Sequence, residues 1–180
     1  MKKYLKPLAV LAIISVIFST IYGTVQYILR MDANDPQIQM AQDAANLLNN
    51  GATITSVITP KIDTRLSLAP VVIVYDTSGH TVGTAAFAGQ FPIRDIPFGV
   101  LKAAGSDYNA VTWEPESNVR LAAVAVKANQ YYVVSARSLR EVESRENTVF
   151  KIAAIGWLIT LLTISTAYYL PKYLRAKSEA

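Results

Sequence analysis

The 180-residue chain has no cysteine and a single histidine, His80. Together these remove most metal and thiol chemistry. An ordinary zinc site draws on several Cys or His ligands, and no disulfide framework or cysteine nucleophile can be built. The acidic residues do not fall at calcium-loop spacing. Gly-x-Ser-x-Gly, the phosphate-binding loop and the dinucleotide fingerprint are all missing. No internal repeat or low-complexity tract is present. We therefore expect no metal, no cofactor and no enzymatic activity. His80 follows a turn sequence and reads as an exposed hairpin residue, although a histidine can titrate near neutral pH. The lack of cysteine does not bear on export, because a domain of this size can bury a core without disulfides.

Charge is missing from two long stretches. Leu8–Leu29 has no charged side chain and one amide, Gln26; Ile152–Leu170 has no charge either. A spanning helix needs about 20 mostly apolar residues at about 1.5 Å each, so both qualify. A cleaved signal peptide also starts with lysines and an apolar run. Its apolar core, however, is usually only about 7–15 residues and ends in a small-x-small site. Ser19-Thr20-Ile21 and Gly23-Thr24-Val25 fit such a site poorly, so the first stretch reads as an uncleaved anchor. Trp157 and Tyr168-Tyr169 suit the two membrane interfaces.

The formal net charge is +4, and the tails supply the excess. Lys2, Lys3 and Lys6 lie at one end, and Lys172, Arg175 and Lys177, opposed by Glu179, at the other. The middle is near neutral, which gives no case for nucleic-acid binding. The tail charges suit anionic lipid at the inner leaflet. Basic residues outside both spans predict cytoplasmic termini. Arg137, Arg140, Arg145 and Lys151 crowd the inner end of the second span and pull the other way, but long translocated domains are largely exempt from that rule. Small residues recur at helical spacing in both stretches: Ala12, Ser15, Ser19 and Gly23, then Ala153, Gly156, Thr160, Thr163 and Ala167. Such stripes let helix backbones approach closely, either within one chain or between two copies.

The division expected is residues 1–30 for a cytoplasmic N-terminus and first transmembrane helix, and 31–147 for an extracytoplasmic domain. Residues 148–171 form a second transmembrane helix and 172–180 a cytoplasmic tail. In the middle, Asp35-Pro36 predicts a helix start, with Asp35 as the cap. Ile38, Ala41, Ala45 and Leu48 keep helical spacing to Asn49-Asn50-Gly51. Residues 52–70 read as loop with short irregular helix. Val71–Asp76 is a buried strand, followed by turn chemistry at Asp76–Gly79 and a second strand from His80 to Phe87. Phe98–Ala104 predicts a short helix ending at Gly105. Ala110–Trp113, Val119–Lys127 and Tyr131–Arg137 are strands, the last two a hairpin across Ala128-Asn129-Gln130. From Leu139 the pattern is helical, and no proline or glycine interrupts it before Ile155. This order predicts an α+β domain: a five-stranded antiparallel sheet with flanking helices, between two transmembrane helices. Strands apolar at nearly every position imply that both sheet faces are covered. Ala85, Ala86, Ala122, Ala123 and Ala125 permit close helix packing or a cavity, and packing is the preferred reading.

That order, with the hairpin Val71-Val-Ile-Val-Tyr-Asp-Thr-Ser-Gly-His-Thr-Val82, resembles the extracytoplasmic PAS-like sensor domains of the Cache (PDC) superfamily over residues 35–145. The resemblance implies a small ligand, often an organic or amino acid, between the sheet and the segment crossing it. Here that segment is Phe91–Tyr108, with Arg94 and Lys102; the facing strands offer Trp113, Arg120, Tyr131 and Tyr132. An arginine fork matches a carboxylate, and aromatic walls exclude water. The competing readings are a strand-end charge for Arg120 and an exposed helix residue for Lys102. Alternation puts Tyr131 and Tyr132 on opposite faces, so at most one lines a pocket. Family members usually continue into a kinase, cyclase or chemotaxis domain, whereas ten residues follow Leu170. The expectation is therefore a two-pass cell-membrane protein whose outer domain senses or binds a ligand. It would work through a membrane protein partner or homodimer. The alternative is a structural or scaffold subunit of a cell-envelope complex with no small-molecule ligand. A cavity lined by Arg120 or Arg94 with aromatics favours the first; a solid core with a large exposed apolar patch favours the second.

Overall fold

The structure, a computed structural model, describes residues 2–58, 60–105 and 107–178, with side chains from Pro7 onward. The side chains of Lys2, Lys3 and Lys6, and Glu179, lie outside the described residues. The elements are α1 (Lys2–Asp32), α2 (Asp35–Asn49), α3 (Ile54–Val57), β1 (Ile62–Asp63), β2 (Val71–Asp76), β3 (Thr81–Thr84), β4 (Ala86–Ala88), β5 (Phe91–Pro92), α4 (Phe98–Ala103), β6 (Tyr108–Glu116), β7 (Val119–Ala128), β8 (Tyr131–Ser138) and α5 (Arg140–Ser178). They fall into two compact units. One holds α1 up to Ile28 with α5 from Ser144, and the other runs from Leu29 to Glu143.

In the first unit, α1 and α5 contain stretches of mean hydropathy 2.2 and 1.8, long and apolar enough to cross a membrane by length and composition. They pack against one another. The Trp157 indole N–H donates to Ser15 Oγ at 3.1 Å. The rings of Tyr22 and Phe150 meet edge-on with centroids 5.6 Å apart. Gly156 gives Phe18 room, since a Cβ there would meet the ring at 3.1 Å. Part of each small-residue stripe thus serves packing within the chain, while Ala12, Ser19 and Gly23 stay exposed. Lys172 Nζ lies 3.2 Å from the Tyr168 ring centroid, a cation over an aromatic face where the apolar run ends. Pro171 does not stop the helix, which continues to Ser178.

The second unit is α+β. Its five-stranded antiparallel sheet has the order β3-β2-β8-β7-β6. Numbered as the chain visits them, the strands lie 2-1-5-4-3. The β7–β8 register pairs Val124 with Ser135 and Ala128 with Tyr131, the hairpin expected from Ala128-Asn129-Gln130. Two expectations need correction. Asp35 does not cap α2: it is the first helical residue, because Asn34 at the cap position has right-handed helical angles and makes no side-chain cap bond. The strand expected over His80–Phe87 breaks at Ala85. β3 stays in the main sheet, while β4 leaves to pair in parallel with β1 and antiparallel with β5. Thr84 Oγ1 accepts the Ala86 N–H at 3.0 Å, which holds the bend.

Both faces of the sheet are covered. On one, Ala41, Ala44 and Ala45 of α2 pack on Val72, Val74, Val124, Val126 and Val133. Alanine on α2 lets the helix sit close, whereas the strand alanines Ala85, Ala86, Ala123 and Ala125 lie in the core of the opposite face. On the other face, Ile93, Ile96 and Leu101 of the crossing segment pack on Ile73, Leu121, Ala123 and Trp113. The Ile96 N–H donates to Tyr75 Oη at 3.3 Å. Burial pushes the Tyr75 hydroxyl up to about 12, against the opposing effect of that hydrogen bond.

The α2 interface holds an anomaly. Gln37 is fully buried, and neither its Nε2 nor its Oε1 has a hydrogen-bond partner among the described residues; nor does the buried Ser135 Oγ. Ser135 alternates with Val134, so it lies on the α2 face of β8. A buried polar group left unpaired costs about 1–3 kcal/mol. Gln37→Met keeps the volume and removes the unpaired amide. It should raise the stability of the chain by about 1 kcal/mol, read as an increased denaturation midpoint in detergent. A decrease would show that the amide is paired in solution.

Candidate functional site

The five residues expected to meet a ligand do not come together. Trp113 is 7% exposed and packs in the core under the crossing segment. Tyr131 lies with the opposite core, under α2, while Tyr132 packs with Trp113's face. Arg94 and Lys102 are exposed, and Lys102 turns its ammonium over the Phe98 ring at 4.6 Å. Arg120 alternates with Leu121 and so falls on the side away from Trp113. Apolar side chains, Ile93, Ile96 and Leu101 among them, pack between the sheet and the crossing segment.

Arg120 does line a different pocket, of about 300 Å³, at one end of the sheet. Four chain segments build it. Thr64 and Arg65 come from the loop after β1, and Ser117 to Arg120 from the β6–β7 turn and the start of β7. Ser138 ends β8, and Arg140 and Glu143 belong to the first turn of α5. The β6–β7 turn is tight enough that Asn118 has φ of 66°, a left-handed conformation that asparagine tolerates better than most residues.

Three arginines line this pocket, each held differently. Arg65 makes a two-point contact with Asp63, Nε to Oδ1 at 3.1 Å and Nη2 to Oδ2 at 2.8 Å. The Gly89 N–H also donates to Asp63, at 3.0 Å. Gly89 has φ of +67°, a left-handed conformation that favours glycine, and a Cβ on it would displace the Arg65 guanidinium, 2.7 Å away. The Arg65 guanidinium holds the Asp63 carboxyl well below the usual carboxylate range, helped by the backbone N–H groups of Arg65 and Gly89. Asp63 in turn raises Arg65, with a smaller contribution from Glu116. Arg120 touches Glu143 through Nη1 alone, at 2.5 Å. Arg140 donates to two carbonyls, those of Arg65 at 2.8 Å and Leu66 at 2.9 Å. Among the described residues it meets no carboxylate.

Arg137 works beside them, donating to the Leu68 carbonyl at 2.9 Å and to Glu141 at 3.2 Å. The loop ahead of β2 is thus strapped to the β8–α5 junction by two arginines. Arg65, Arg140 and Glu143 were not anticipated as site residues. The one signal for Arg140 was the basic crowding from Arg137 to Lys151. His80 is exposed in its hairpin, as expected. Its N–H and that of Ser78 donate to Asp76 and lower that carboxyl below its ordinary value.

Asp63 has a folded value depressed below its unfolded one. Its contribution to stability is therefore complete above the unfolded value of about 4 and is lost as pH falls through the folded value. Asp63→Asn should flatten the loss of stability on acidification below about pH 4, measured by denaturant titration across that range. An equally steep acid limb in parent and variant would remove Asp63 from the account. No protein family, curated protein or solved structure matches the chain.

Proposed function

We propose that this is a two-pass membrane protein whose central domain is a PAS/Cache-like sensory or ligand-binding module acting through a partner protein. One observation carries the reading. α5 leaves the last sheet strand at Arg140 and runs unbroken for 39 residues into the apolar stretch, and its first turn forms part of the polar pocket. Whatever occupies that pocket touches the start of a continuous helix about 58 Å long. A small shift of such a helix can pass along its length as rigid-body motion. The sheet order 2-1-5-4-3, with a helix on one face and a crossing segment on the other, is compatible with a PAS-like fold. The arginine pocket lies elsewhere than the site the Cache resemblance implies.

The scaffold reading has one observation in its favour: both sheet faces are filled by close-packed side chains. A partner could then be bound by the domain surface with no ligand involved.

The cysteine-free chain makes orientation directly measurable. Ser78→Cys, in the exposed β2–β3 turn, should react with a membrane-impermeant maleimide in intact cells. Ser178→Cys should react only after permeabilisation. The reverse pattern would overturn the proposed orientation. Partnership is tested with a photo-crosslinker at Ser165, exposed on α5, in native membranes. It should capture a membrane protein of different sequence or a second copy of this chain, in a yield that changes when Gly-Gly is inserted after Asn147. A yield untouched by the insertion would sink transmission along α5.

A further inference from the structure

We infer that the arginine pocket at the end of the sheet is a binding site for a small organic anion recognised through a carboxylate, and that Glu143 occupies part of the anion's place when it is absent. This deepens the ligand-binding reading above and rests on it. It places recognition at the strand ends, not between the sheet and the crossing segment.

The argument starts from what each guanidinium leaves unused. An arginine offers five N–H donors in a planar fork that matches a carboxylate by two parallel bonds. Arg65 spends that two-point match on Asp63, so it forms a fixed wall. Arg120 meets Glu143 through a single nitrogen, and the rest of its fork has no acceptor among the described residues. Among the described residues Arg140 binds only carbonyl dipoles, and its charge meets no anion at contact distance. Arg120 and Arg140 line one pocket, with the Ser138 hydroxyl as a further donor; the Thr64 hydroxyl already donates to the Phe87 carbonyl at 3.1 Å.

An incoming carboxylate therefore offers Arg120 the same chemistry as Glu143, with a second oxygen for the unused part of the fork. The Arg120–Glu143 pair is substantially exposed, 43% and 36% at the side chains, and such pairs hold weakly. Exchange of one carboxylate for another is then nearly balanced, and contact with Arg140 and the Ser138 hydroxyl tips it toward the ligand. Because Glu143 and Arg140 share the first turn of α5, the exchange changes two of that turn's contacts together. Glu116 and Asp63 lie near Arg65 and disfavour anions on that side, so the Arg120–Arg140 side is the one that recognises them.

The test uses the full-length chain in detergent micelles, with succinate, citrate and inorganic phosphate as probes. Succinamide and sodium chloride at matched ionic strength are the controls. Succinate or citrate should raise the unfolding midpoint saturably, while succinamide and chloride should not. Arg120→Gln and Arg140→Gln should each weaken binding by about tenfold. Glu143→Gln removes the competitor and should tighten it, a direction that a merely structural role does not produce. The inference is overturned by no saturable shift with any probe, by a shift unchanged in both arginine variants, or by weaker binding in Glu143→Gln. A shift with phosphate alone overturns the carboxylate assignment. Loss of anion binding with crosslinked partner capture intact would reject this site and leave the partner reading standing.

Discussion

The domain is organised by a sheet that is apolar on both faces. Val71 to Tyr75 are all buried, as are Leu121 to Val126, so neither face can be left in water. Each needs a cover, and the covers fix the rest of the fold. α2 must present alanines, because β-branched valines already fill the opposing surface and only a small contact residue lets the helix approach. The crossing segment must carry Ile93, Ile96 and Leu101 inward, and Tyr75 pins its backbone by accepting the Ile96 N–H. Once both faces are filled, with Gln37 and Ser135 the polar exceptions under α2, charged side chains gather at the strand ends, where the arginine pocket lies.

The same constraint explains what could be read in advance. β2, β7, β8 and α2 were legible almost to the residue, because each is a long run whose apolar pattern reports burial directly. α5 was legible because no proline or glycine stops it between Leu139 and Ile155. The split at Ala85 was not legible. Thr84 and Ala85 look like strand residues, and the strand's departure depends on a hydroxyl–backbone bond and on pairing with the distant Ile62–Asp63. The ligand residues proposed from resemblance were chosen by type and predicted element. Face was settled only for the tyrosine pair, and face decides whether residues meet: Trp113 and Arg120 fall on opposite sides of the sheet. The pocket itself draws on residues 64–65, 117–120, 138, 140 and 143. No local periodicity relates these, and only the folded domain brings them together.

One part of the pocket was nonetheless visible in outline. The basic run from Arg137 to Lys151 contradicted the expected charge balance across the membrane and had no role in a simple anchor. Two members, Arg137 and Arg140, hold carbonyls of the loop before β2. A carbonyl partner leaves no trace in sequence, because every residue has one. Arginines beside a loop can therefore signal backbone clamping as readily as topology, even where one of them, as Arg137 does with Glu141, also pairs with an acidic residue.

Magnitudes limit what such a pocket can do to α5. Driving a two-state equilibrium from 1:99 to 99:1 takes a differential of about 5.5 kcal/mol. An exposed ion pair such as Arg120–Glu143 supplies only about 0–1 kcal/mol, so exchanging Glu143 alone could not throw a switch. Hydrogen bonds to charged groups are worth about 1.5–3 kcal/mol each, and Arg140 makes two of them to the Arg65 and Leu66 carbonyls. An occupant that also drew Arg140 away from those carbonyls would release the loop and the first turn of α5 together, and would approach the required range. A full switch at this site therefore has to work through Arg140; an occupant that engages Arg120 alone can only bias a balance that is already close.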